Sequence, residues 1–86
     1  MISTAYTVTT TATKIIAADD THRVCYLHVT GTGTIYLGGS NVTTANGTRT
    51  EKNAVPFEIV IPQRQELWAV TASGTESVRV LTPDLD

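Results

Sequence analysis

The sequence predicts a small all-β domain, an antiparallel sandwich or barrel of about six to eight short strands. Three observations carry that expectation. Threonine occurs 17 times, valine nine times and isoleucine six times among 86 residues, so more than a third of the chain is β-branched. Such side chains are stiff at χ1 and suit a pleated strand better than a helix. No segment shows an apolar stripe at i, i+3, i+4 spacing. Finally, turn signals divide the chain into short pieces: Asp19-Asp20-Thr21, Gly31-Thr32-Gly33, Gly38-Gly39-Ser40, Asn46-Gly47 and Ser73-Gly74-Thr75.

In order, residues 6–10 and 12–16 read as two short strands or one bent strand. Because the segment is mostly threonine, residues 1–13 also read as an extended arm. Residues 23–30 make a strong strand, and 34–37 follow the Gly31-Thr32-Gly33 turn as its expected hairpin partner. Residues 42–52 are polar and are expected to form a loop around Asn46-Gly47, a dipeptide that tolerates positive φ. Residues 55–61 form the next strand, with Val55, Phe57, Ile59 and Ile61 on one face and Glu58 on the other. Proline lacks the N–H of a central ladder, so Pro56 marks an edge position or a strand entrance. Residues 66–72 and 76–81 are expected to close the domain as a last hairpin, with Val78 and Val80 inward and Arg79 outward. The tail from Thr82 to Asp86 is expected to fray or to dock on a neighbour.

The strand at 23–30 differs from the others. Cys25, Leu27 and Val29 form one apolar face, and Val24, Tyr26 and His28 form a second that is also fairly apolar. A strand apolar on both sides is usually covered on both. The second cover is either another subunit or a loop or arm of the same chain.

At 86 residues the chain makes one domain, 1–86, and buries roughly 60–65% of its unfolded surface. Small domains often compensate with disulfides, metals or subunit contacts. Cys25 stands alone and rules out an internal disulfide, so oligomerisation is the expected route. The net charge of −2 and six scattered basic residues give no nucleic-acid patch. No apolar run approaches the roughly 18 residues of a membrane span. The first five residues lack a basic start and an apolar stretch, so the chain is expected to be made in a cytoplasm without a signal peptide.

Side chains able to do chemistry do not converge. His22, Cys25 and His28 suggest a metal, but Cys25 and His28 project to opposite faces of one strand. Asp19-Asp20 with Asp84 and Asp86 lacks the dense acidic spacing of a calcium loop. Gly38-Gly39 precedes no helix and makes no phosphate cradle. The serines, at 3, 40, 73 and 77, offer no Ser/His/Asp arrangement. Asn41-Val42-Thr43 and Asn46-Gly47-Thr48 match the glycosylation pattern, a match expected by chance in an Asn- and Thr-rich chain. The expectation is a protein that binds or assembles, with no enzyme activity and no cofactor. Trp68, the single tryptophan, sits beside Leu67 on the opposite face, which leaves it as core, interface anchor or sugar platform.

Residues 35–81 resemble small head proteins of tailed bacteriophages. In those proteins a strand ending in Gly-Gly leads into a loop of the Val-Thr-Thr-x-x-Asn-Gly type, here Gly38, Gly39, Val42, Thr43, Thr44, Asn46 and Gly47, with Ala45 alone between Thr44 and Asn46. Their ending corresponds here to Leu67, Trp68, Ala69, Val70, Ser73, Gly74, Thr75, Val78, Val80 and Leu81. The chain departs from them at Glu51-Lys52-Asn53-Ala54, where a Gly-Glu type of turn is common. The resemblance implies a decoration or minor capsid protein, a homotrimer that cements the major capsid protein on the exterior of the virion. The alternative it leaves is a tail- or head-fibre module that binds a receptor or carbohydrate. Candidate contact residues are Tyr6 in the N-terminal segment, Val24, Tyr26 and His28 on the doubly apolar strand, Gly38, Gly39, Asn41, Thr43, Thr44 and Asn46 in the loop, and Trp68.

Overall fold

In the computed structural model, which describes residues 1–52 and 57–83, eight strands carry the chain. They are β1 (Ile2–Val8), β2 (Thr13–Ile16), β3 (Arg23–Val29), β4 (Thr34–Gly38), β5 (Thr48–Glu51), β6 (Phe57–Ile61), β7 (Leu67–Thr71) and β8 (Glu76–Thr82). The described residues contain no helix, and every pairing is antiparallel. The expectations for Val55, Pro56, Asp84 and Asp86 lie outside the described residues.

The strands form two four-stranded sheets, ordered β1-β8-β3-β6 and β2-β7-β4-β5. The chain changes sheet at every connection except β4 to β5. This order is that of a double-sheet jelly roll, in which two Greek keys interleave.

That alternation corrects two expectations. The turn at Gly31-Thr32-Gly33 does not close a hairpin: β3 pairs with β6 and β8, while β4 lies in the other sheet beside β5 and β7. Strands β7 and β8 are likewise in different sheets. The physical reason for the first lies far along the chain. The Thr30 and Gly31 amides donate to the Ser77 carbonyl at 3.1 and 3.3 Å, and the Gly33 amide donates to Glu76 Oε1 at 2.9 Å. The start of β8 therefore holds the turn and sends β4 across to the opposite sheet.

The N-terminal segment forms two strands, β2 close to the expected 12–16 and β1 four residues earlier than the expected 6–10. Residues Ile2–Val8 pair along their whole length with β8, placing Tyr6 opposite Val78. The polar 42–52 segment contains β5, an edge strand paired only with β4.

The core lies between the sheets and follows the period of two. Along β3, Arg23, Cys25, Leu27 and Val29 are buried, while Val24, Tyr26 and His28 between them are half-buried. Val78 and Val80 from β8 and Val8 from β1 complete that layer. Ile35 and Leu37 from β4, with Leu67 and Ala69 from β7, face it from the second sheet. On β2 the register shifts between Lys14 and Ile16, and the irregularity turns both Ile15 and Ile16 inward. Buried Thr71 donates its hydroxyl to the Thr34 carbonyl at 3.0 Å, so its oxygen enters the core already paired.

Candidate functional site

The two outer faces of the sandwich are finished differently, and that difference locates the candidate site. On the second sheet, residues 39–47 between β4 and β5 fold back over the outer face. Val42 is buried there, so close to β4 that a Cβ on Gly38 would stand 2.9 Å from its Cγ2. A Cβ on Gly47 would stand 2.7 Å from Tyr36 Cβ. Glycine at both positions lets the loop lie flat. The loop is also bonded to itself. The Thr43 amide donates to Asn46 Oδ1 at 2.7 Å, Asn46 Nδ2 to the Asn41 carbonyl at 3.3 Å, and the Gly47 amide to the Thr43 carbonyl at 2.9 Å. Asn46 therefore shapes the loop, and Asn41, Thr43 and Thr44 are left exposed on its surface.

Under this cover the outer positions of the second sheet are largely filled. Val70, though it faces outward beside Tyr36, is only 5% exposed. Trp68 is half-buried and pairs in register with Gly38 of β4. Its N–H donates to Glu66 Oε1 at 3.0 Å, and Lys14 Nζ lies over the ring, 5.9 Å from its centroid. The Lys14 ammonium also meets Glu66 Oε2 at 3.3 Å. The indole thus enters a small polar network.

These contacts hold the Glu66 carboxyl below its ordinary value of 4.5, first through the Trp68 hydrogen bond and then through Lys14. Folded Glu66 holds its proton less tightly than the unfolded chain, so the contribution is present above 4.5 and is lost as pH falls through the folded value. Trp68 is the single tryptophan, so its emission should change in one step below pH 4.5. The Glu66→Gln variant should lack that step. Persistence of the step in the variant would assign it to another carboxylate.

Among the described residues, none folds over the outer face of the first sheet in this way. Strand register builds its outer face in rows. Ala5, Arg79 and His28 lie side by side across β1, β8 and β3. Ser3, Leu81, Tyr26 and Glu58 form the next row and extend it to β6. Val24 and Val60 form a third. A shallow trough of about 500 Å³ runs along this face, lined by Ser3, Ala5, Tyr26, His28, Arg79 and Leu81. Tyr26, His28 and Leu81 are half-buried, and Val60 is 48% exposed. An apolar strip with Arg79 on its inner strand β8 and Glu58 on its edge strand β6 is suited to burial against another protein surface.

A second hollow of about 280 Å³ opens between β1 and β2 and reaches Arg23. The Arg23 side chain is buried, yet it is not set against a carboxylate. It donates to the backbone carbonyls of Ala17, Thr21 and Gln65 and ties two connections together at one end of the sandwich. Cys25 lies next along the same face. Burial pushes its thiol above the ordinary value, and the nearby Arg23 only partly offsets that shift. The thiol stays neutral, which deprives it of nucleophilic character. His22, Cys25 and His28 stand apart: His22 is exposed, Cys25 is in the core and His28 is on the outer face. Among the described residues no three His, Cys, Asp or Glu side chains gather around a point.

Compared with protein-family profiles, curated proteins and solved structures, the chain matches none.

The candidate contact residues divide between the two faces. Val24, Tyr26 and His28 share the open outer face of the first sheet. Gly38, Gly39, Asn41, Thr43, Thr44, Asn46 and Trp68 belong to the loop-covered side of the second. Tyr6 points between the sheets and packs on the core. The open face also contains Ala5, Arg79 and Leu81, which sequence reasoning did not single out. Arg79 was legible as an outward residue, but its place beside His28 depends on β3 pairing with β8 across about fifty residues of chain.

Proposed function

We propose that the protein is a structural component of a tailed-phage virion, a decoration or minor capsid protein. In this reading a homotrimer binds the major capsid protein on the outside of the shell and cements neighbouring subunits. Many symmetric copies each contribute a modest interface, and their contact energy resists the pressure of packaged DNA. The function requires no enzyme activity and no cofactor.

The observation that carries the proposal is the open outer face of the first sheet, where Leu81 and Tyr26 form an apolar centre flanked by Arg79 and Glu58. The resemblance of residues 35–81 to phage head proteins supplies the context. Jelly rolls serve in both viral capsid and lectin domains, so the architecture accommodates the reading without selecting it. The carbohydrate-binding alternative has less support. A sugar platform needs a free aromatic face, and the Trp68 ring lies beneath Lys14 with its N–H directed to Glu66.

The test is a titration onto DNA-filled heads that lack this protein, read by co-sedimentation. Saturable binding at many copies per head, with improved survival of the heads on heating, is the expected result. Failure to bind heads at any concentration would overturn the proposal.

A further inference from the structure

We infer that the outer face of the first sheet is where copies of this chain meet, with Arg79 of one copy placed against Glu58 of the next. The inference deepens the trimeric part of the proposed function and rests on it for the number of copies. It assigns this face to contacts between copies and leaves the grip on the capsid to another surface of the chain.

The argument starts from the contrast between the two outer faces. The second sheet has a segment of its own chain folded across it, with Val42 and Val70 buried there. On the first sheet, β1 completes the hydrogen-bonded plane instead of crossing it, because all seven of its residues pair with β8. Leu81 and Tyr26 consequently remain half-buried beside exposed Ala5 and Val60. A domain of this size gains from covering such a strip.

Charge identifies the occupant. Arg79 and Glu58 are exposed, and neither takes part in the ion pairs found among the described residues. Within one chain they stand apart. Glu58 lies two strands from β8 and one side-chain row away, a separation of about 12 Å by ordinary strand spacing. A face with a cation on the inner strand β8, a carboxylate on the edge strand β6 and Leu81 and Tyr26 in the row between the two strands can be complementary to a second copy of itself. Around a threefold axis, the β1–β8 side of one copy faces the β6 side of the next. Each of the three contacts then gains one Arg79–Glu58 pair, and the Leu81 and Tyr26 side chains are brought toward the axis.

Size sets the strength. Four strands about 4.8 Å apart and up to seven residues long give a face of roughly 450 Å². A standard interface takes about 800 Å² from each partner. Association should therefore be weak and concentration-dependent in free solution.

The experiment is sedimentation velocity on the full chain over a concentration series, with circular dichroism as the check on folding. Arg79→Glu and Glu58→Arg alter exposed side chains, so both variants should fold. The wild-type chain should move toward trimer mass as concentration rises. Each single reversal sets like charges against each other and should weaken association by at least about tenfold. The Arg79→Glu/Glu58→Arg double variant should recover wild-type association, because the pair is restored with its signs exchanged. A wild type that stays monomeric throughout, single reversals without effect, or a double variant that fails to recover would each overturn the inference. Binding of heads by a chain that never self-associates would retain the decoration role without its trimer and remove this contact. Self-association without head binding would do the opposite.

Discussion

Leu27→Ala is expected to lower the unfolding free energy by about 2–5 kcal/mol. Leu27 sits in the middle of β3, has no exposed surface, and lies between Val80 on one neighbouring strand and Phe57 on the other. Truncation removes the transfer free energy of the lost carbons and leaves a cavity that two sheets cannot readily close. Stability of roughly 0.05–0.15 kcal/mol per residue gives a chain of this length about 4–13 kcal/mol in total. The variant therefore forfeits a large share, and its melting temperature should fall by roughly 10–40 °C. Val60→Ala is the control. Val60 faces outward from the edge strand and should change stability by no more than about 0.5 kcal/mol. Thermal melts followed by circular dichroism compare the two. A Leu27→Ala chain that melts with Val60→Ala would place the core somewhere other than between these sheets.

The same strand shows how much of the fold was legible in the sequence. Period-two alternation in residues 23–30 identified both faces of β3, and the structure places Cys25, Leu27 and Val29 inside and Val24, Tyr26 and His28 outside. Strand partners were less accessible. A Gly-x-Gly turn indicates that the chain reverses, but not whether the returning strand pairs with the one it left or crosses to the other sheet. Here Glu76 and Ser77 decide that outcome from more than forty residues away. Strand β5 escaped for a different reason. Thr48, Arg49, Thr50 and Glu51 include no apolar residue, so hydrophobic alternation has nothing to register, and the strand exists because β4 offers it an edge. The candidate site was half legible on the same grounds. Tyr26 and His28 follow from their own strand, whereas Arg79, Leu81 and Ala5 join them only once β1, β8 and β3 are known to be neighbours. The Gly38 and Asn46-Gly47 signals were visible as turn chemistry. Their purpose, letting Val42 close over the second sheet, depends on contacts that no local pattern records.

Arg23→Ala is expected to cost about 2–4 kcal/mol, although it removes no salt bridge. Arg23 is 5% exposed and points into the end of the sandwich. Its guanidinium donates to the Thr21 carbonyl at 3.3 Å, to the Gln65 carbonyl at 3.2 Å and to the Ala17 carbonyl. These acceptors lie on the connection from β2 to β3 and on the one from β6 to β7, so a single side chain joins both connections below the core. Alanine would leave the three carbonyls without those donors and, at a side chain that is 5% exposed, would leave a void where the guanidinium and its stem now pack. The planar fork is essential to this geometry. A lysine ammonium is a point donor on a flexible stem and cannot replace contacts from two separate guanidinium nitrogens, so Arg23→Lys should recover only part of the loss. Urea unfolding should show the midpoint falling in the order wild type, Arg23→Lys, Arg23→Ala at a constant slope, because the denatured chain and the area it exposes are nearly unchanged. An Arg23→Ala midpoint equal to that of the wild type would mean that water from the adjoining hollow already serves these carbonyls. The sandwich would then be closed at this end by its connections alone.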